Sequence, residues 1–306
     1  MENNYTYFGK YILLVIFILS PLGIVYSQES IEEQEELITN VFNYGMLING
    51  QTTETTPKKT FEVRIQHRFG ELDLKDFGNT VGEEFLGFDG SANIRFGFSI
   101  GLSDKLQMGI GRTKIDKVID IEAKYRLLRQ KEVKAPISIS LYFNTAFSTK
   151  DFPEVGPNEF FADFETPFEN KFSHRFSYNT QLLLSKKIGE YFSIELNPTF
   201  IYNNLASPGK KNLTIATSLG ARYKTGITSS IIFEYAAKFN NRNDNYKNPI
   251  SLGYEIGTSG HAFQIILTTT NQIFEQNIYT KNPLDYTDGK LLIGFNLKRN
   301  FGYGNN

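Results

Sequence analysis

The chain has 306 residues and a formal net charge of −1, with 27 Phe, 17 Tyr, no Trp and no Cys. Without cysteine there is no disulfide framework, no thiolate metal site and no thiol nucleophile, and the near-neutral charge gives no electrostatic footprint for nucleic acid. A mean hydropathy of −0.30 excludes a bundle of transmembrane helices, yet permits a barrel whose apolar residues are diluted by a polar interior.

Residues 1–27 read as a signal peptide. Lys10 precedes the apolar run YILLVIFILS (Tyr11 to Ser20), Pro21 and Gly23 break it, and Val25, Tyr26 and Ser27 lead into Gln28. The run is short for a membrane span, so export and cleavage are expected. Residues 28–59 form a separate segment. Its acidic run (Glu29, Glu32, Glu33, Glu35, Glu36) accompanies Ile31, Leu37, Ile38, Val41 and Phe42 at loosely helical spacing. This fits a solvated periplasmic arm. Its functional versions are contact with a periplasmic partner or a plug reaching a lumen. TTETTPKK (Thr52 to Lys59) reads as a linker.

From residue 60 the pattern changes to period-two alternation, the signature of half-buried strands. In TFEVRIQHRFG, Phe61, Val63, Ile65, His67 and Phe69 alternate with Glu62, Arg64, Gln66 and Arg68. About twelve such segments follow one another, at 60–69, 91–102, 105–112, 118–128, 136–147, 175–186, 191–203, 212–224, 227–238, 249–258, 261–269 and 288–299. Links after even-numbered strands are short, and those after odd-numbered strands are mostly long, with TKID at 113–116 the exception. Short periplasmic turns alternating with long extracellular loops are expected of an antiparallel transmembrane β-barrel. No helical pattern interrupts the series, which argues against a parallel α/β fold. The barrel is therefore assigned to residues 60–306.

The composition of the two strand faces sets the orientation. Roughly fifty apolar side chains are too many for the inside of a small soluble barrel. The opposite faces hold small residues, among them Gly97, Ser99, Gly109, Gly111, Ser138 and Gly220, together with charges of both signs. Glycine weakens a strand facing bulk water but suits a confined lumen. The candidate lumen-lining residues are Glu62, Arg64, Arg68, Arg95, Asp120, Glu122, Lys124, Arg126, Glu195, Arg222, Lys224, Glu234 and Glu255. The apolar faces then meet lipid, with Tyr125, Phe143, Phe192, Tyr202, Tyr223 and Tyr235 as interfacial aromatics.

With these strands placed, the chain resembles an uncharacterised outer-membrane β-barrel family of Gram-negative bacteria, a domain of unknown function. The resemblance rests on LINGQTTET (Leu47 to Thr55), IQHRFG (Ile65 to Gly70), GIGR (Gly109 to Arg112), KYRLLRQ (Lys124 to Gln130), GARYK (Gly220 to Lys224), GTSGHAFQ (Gly257 to Gln264) and IGFNLKR (Ile293 to Arg299). It implies a barrel in the outer membrane and supplies no activity. The chain departs from the family at Gly90, where relatives often carry asparagine, and in FIYNN (Phe200 to Asn204), which lacks a histidine often found there.

The chemistry is sparse. His67, His174 and His261 fall at different ends of the strands and cannot share one metal, and nothing calls for a cofactor. Ser173 adjoins His174, but neighbours on a strand point to opposite faces, so no nucleophile–base pair stands out. The leading expectation is a non-enzymatic narrow channel or binding barrel for small polar solutes. The alternatives are a non-conducting anchor or partner platform, and a lipid hydrolase or lipid-A modifying enzyme. The partners implied are outer-membrane lipid, the barrel-assembly machinery, a small polar or anionic solute, and a periplasmic partner at the arm.

Overall fold

A computed structural model describes residues 37–82, 85–157, 159–161, 165–206, 209–241, 245–258 and 260–303. The signal peptide and the acidic run expected from the sequence lie outside these residues. Twelve strands alternate in direction: β1 (Thr60–Asp73), β2 (Asn93–Gly101), β3 (Leu106–Thr113), β4 (Val118–Leu128), β5 (Ser138–Ser148), β6 (Phe176–Ile188), β7 (Phe192–Asn203), β8 (Leu213–Lys224), β9 (Ser229–Lys238), β10 (Ile250–Gly257), β11 (His261–Thr268) and β12 (Lys290–Gly302). Each pairs antiparallel with its neighbours in sequence, and β1 closes onto β12. Closure leaves no unpaired edge, which a strand in hydrocarbon requires.

The seam explains the largest departure from the strand limits read in the sequence. β1 continues past Phe69 to Asp73, and its register against β12 shifts between Arg68 and Glu71. The irregularity falls at Gly70, whose amide donates to the Gly87 carbonyl at 2.7 Å. A Cβ at Gly70 would stand 2.8 Å from that carbonyl oxygen, so only glycine lets the extracellular loop lie against the bulge.

The wall is inverted relative to a soluble barrel. On β1, Glu62, Arg64, Gln66 and Arg68 are buried, whereas Phe61, Val63, Ile65 and His67 lie on the outer phase. The same holds on β2, where Phe96, Phe98 and Ile100 are exposed, and on β10 and β11, where Leu252, Tyr254, Ile256, Phe263, Ile265 and Leu267 are exposed. An apolar exterior around a polar interior is the arrangement that lipid selects. With the short links assigned to the periplasm, the long ones at 74–92, 149–175, 204–212, 239–249 and 269–289 lie outside. The exceptional short external link contains the 3-10 turn Ile115–Lys117, with Asp116 at φ 58°.

The interior is not a water-filled tube. A segment N-terminal to β1 enters from the periplasmic end, and the loop 269–289 folds inward from the outside. Three small apolar clusters dock them. Val41, Phe42, Leu47 and Ile48 pack on Ile232 and Ile266. Ile278 and Tyr279 pack on Ile201, Ala216 and Ala236, and Phe274 on Val118 and Ala146.

Candidate functional site

The charges on β1 to β4 are held together by the register. Arg64 stands opposite Gly97, Gly97 opposite Gly111, and Gly111 opposite Asp120, so two glycines separate the arginine from the acidic strand. A Cβ at Gly111 would collide with the Arg95 guanidinium. Across this gap Arg95 Nη2 reaches Asp120 Oδ2 at 2.7 Å and Glu122 at 3.8 Å. Arg64 pairs with Glu122 and, through Nε at 3.1 Å, with Glu62. Tyr142 donates its hydroxyl to Glu122 at 3.2 Å, and Asn144 its amide to Asp120 at 3.0 Å. Buried ions need such partners, because desolvation alone costs several kcal/mol per charge.

The inserted N-terminal segment, the plug, is a tight hairpin. Met46 bridges Gln51, the Leu47 amide donates to the Gly50 carbonyl at 2.9 Å, and Asn49-Gly50 forms the turn. Asn-Gly is the strongest short-range hairpin signal in a sequence. The backbone groups of a hairpin inside a barrel must find partners there, and the wall supplies them. Glu234 accepts the amides of Ile48 (3.0 Å), Asn49 (2.8 Å) and Gly50 (2.8 Å). Lys298 donates to the Met46 carbonyl at 2.5 Å and Lys124 to the Gly45 carbonyl at 2.5 Å. Gln264, Asn296 and Asn197 donate to the carbonyls of Leu47, Ile48 and Gln51, each at 2.8 Å. Arg68 donates to the Asn49 side chain at 2.9 Å.

The sequence reading of Thr52 to Lys59 as a linker needs correction. Thr52, Thr53, Thr55 and Thr56 are buried in the lumen. Ser140 donates to the Thr53 carbonyl at 2.8 Å, Gln107 accepts the Thr56 amide at 2.8 Å, and Arg126 contacts the Thr55 hydroxyl. Short hydroxylated side chains are what a strand running along a polar wall can use, and a composition-based reading misses this.

From the outside, the short helix Glu275–Thr280 carries Glu275 into the lumen. This carboxylate accepts from Gln51 (2.7 Å), Asn179 (2.8 Å) and Gln181 (2.7 Å). Plug and loop therefore meet at the Gln51–Glu275 hydrogen bond. The loop is hooked to the short external turn, where Asp116 accepts from Lys281 at 2.6 Å and Asn277 at 3.2 Å. Burial by itself would raise the Asp116 carboxyl, but Lys281 holds it below the usual carboxylate range.

The other sequence candidates are placed as follows. Glu255 receives Asn43 and Gln264, each at 2.7 Å, and lies 3.6 Å from Arg222. Glu195 is buried with neither carboxylate oxygen hydrogen-bonded among the described residues. Lys224 stands at the periplasmic rim, half-buried, 3.6 Å from Glu190. Missing from the candidates were Lys298, Gln264, Asn296 and Glu275. The first three sit on the polar phase of recognised strands, whereas Glu275 lies in a loop that no periodicity marks.

The histidines stand apart. His67 stacks on Phe295 on the outer face, with ring centroids 5.3 Å apart. His174 accepts the Lys171 amide on Nδ1 at 3.1 Å, and the His261 carbonyl, not its ring, closes the turn to Thr258. Among the described residues no three His, Asp or Glu side chains group as a metal site would require.

A closed antiparallel barrel with an apolar exterior and a polar, occupied interior is an outer-membrane β-barrel protein. The chain belongs to the family described as a membrane-bound β-barrel domain (DUF5777), whose model matches residues 42–301, a span that begins inside the plug. No curated protein matches the sequence. Among solved structures, the fold is similar to the KdgM porin in complex with disordered oligogalacturonate, at 8% identity and TM-score 0.47, covering 79% of this chain and 99% of that one. It is similar to the NanC porin at 10% identity and TM-score 0.48, covering 78% and 98%. A third likeness is to an outer membrane channel from Pseudomonas putida F1, at 11% identity and TM-score 0.48, covering 81% and 98%.

Proposed function

We propose that the protein is a gated conduit for small polar solutes, held closed by its two inserted segments. The observation that carries this reading is how differently wall and inserts are built. The wall is a continuous hydrogen-bonded cylinder closed from β1 to β12. The inserts are docked by side-chain hydrogen bonds and small apolar contacts, and they join at Gln51–Glu275. Withdrawal of both would leave the cylinder intact around a polar bore lined with Arg, Lys, Asp, Glu, Asn and Gln. The thirteen charged candidates from the sequence are the residues we assign to that bore.

The test is conductance in planar bilayers. Full-length protein is expected to be nearly silent, deletion of residues 37–56 to raise the current, and further replacement of 271–283 by a short glycine–serine link to open the bore fully. If the doubly altered protein still shows heat-modifiable gel mobility and carries no current, the conduit reading fails and a non-conducting anchor or partner platform replaces it.

A further inference from the structure

We propose that the outer mouth of the barrel is a binding site for a small organic anion with a polar, ring-sized body. A cavity of about 350 Å³ lies there, between the outer ends of β4 to β9 and the inward-folded loop. Six cationic side chains line it: Lys150, Arg175, Lys210, Lys211, Lys238 and Lys281. Among the described residues two carboxylates join them, Asp116 and Asp151, in a chain whose net charge is −1.

Asp116 is shared by two of these lysines, at 2.6 Å from Lys281 and 4.0 Å from Lys150, so it offsets one charge and leaves a cationic excess. Arg175 is fixed in place: its guanidinium lies over the Phe152 ring at 4.0 Å, and Nη1 donates to the Ser148 carbonyl at 3.0 Å. Lys238 likewise lies over the Tyr246 ring at 4.0 Å. A concave mouth with an excess of one sign of charge concentrates counter-ions and steers them inward.

The rest of the lining defines the body of the ligand. Phe274 offers an apolar wall, while Ser177, Asn203 and Thr214 offer hydrogen-bonding groups. Apolar walls with a few placed polar groups are the usual make-up of a small-molecule site. Val118, Ala146 and Thr214 lie on the buried phase of their strands, so the cavity opens toward the barrel axis and not toward the lipid face. This favours a soluble anion over a lipid headgroup. As a statement about a solute's route, the inference rests on the conduit reading; as a statement about a site, it is tested without passage.

The experiment is titration calorimetry of full-length detergent-solubilised protein with glucose 6-phosphate, gluconate and glucose. Both anions are expected to bind, with affinity falling as salt rises, and glucose to give no heat of binding. The double variant Lys150→Gln/Lys211→Gln removes two exposed charges, and its affinity for glucose 6-phosphate is expected to fall roughly tenfold with heat-modifiable mobility retained. Equal binding of glucose and glucose 6-phosphate, no binding of either anion, or unchanged affinity in the variant would overturn the proposal. Anion binding by a protein whose opened variants carry no current would sink the conduit and leave the site standing.

Discussion

On β1 to β4, Arg64 and Arg95 pair with Glu62, Asp120 and Glu122 within the wall, while Arg68 and Lys124 of the same strands reach the plug. On β9 to β12, Glu234 and Lys298 instead face the backbone of the plug, the carboxylate taking three amides and the ammonium a carbonyl. The ion pairs of the first cluster are made between wall residues alone. On the proposed gating, the second would lose its partners when the plug leaves, and its charges would become available to water or solute only then. One lumen thus contains a structural network and a docking surface, distinguished by where each charge finds its counterpart.

The largest expected effect tests the structural half. Arg95→Ala leaves Asp120 fully buried beside a lost cation, which costs about 3–5 kcal/mol. The urea midpoint of the refolded barrel should drop, and adding Asp120→Ala should recover part of the loss. An unchanged midpoint in the single variant would mean that the cluster is not structural.

Next comes the docking half. Glu234→Ala removes the acceptor of three plug amides, worth about 1.5–3 kcal/mol for bonds to a charged group. The penalty should fall on the plug alone. Protease cleavage within 41–53 should rise and brief currents should appear, while the urea midpoint stays near that of the parent. A matching fall in both would erase the distinction between the two halves.

The smallest effect concerns the outer loop. The hydrogen bond from Lys247, with those of the Thr287 amide and hydroxyl, holds the Asp285 carboxyl down to about 2. A depressed value means that the contribution is present above the unfolded value, ordinarily 3.8, and is lost as pH falls through about 2. Proteolysis of 269–289 should therefore be flat from neutral pH down to about pH 5. A break near pH 6 to 7 would show that some other group controls the loop.

Strand number, order and phase were legible in the sequence because lipid enforces strict alternation on one face of every strand. Alternation also marked the thirteen charged candidates, since charges on the outer phase would be costly. Occupation of the lumen was harder to read, although its signals are present. Ile231–Ile232, Ile265–Ile266 and Phe200–Ile201 are apolar pairs where alternation demands a polar residue, and the second member of each docks an insert. Asn49-Gly50 announced a hairpin in a stretch read as a periplasmic arm or plug-like segment. Which loop folds inward was not legible, because Glu275 acquires its partners from β6 and the plug, far away in sequence.

The connection between plug and wall has one more consequence. Only Pro57, Lys58 and Lys59 separate Thr56 from the start of β1, and Lys59 is itself tied to the Gly101 carbonyl at 3.3 Å. A withdrawn plug is thus a tethered ligand, held by a short link at an effective concentration on the order of millimolar. Reclosure is then a first-order event within one molecule, indifferent to protein concentration and to rival segments in the periplasm. Under the proposed gating, the gate would reset itself.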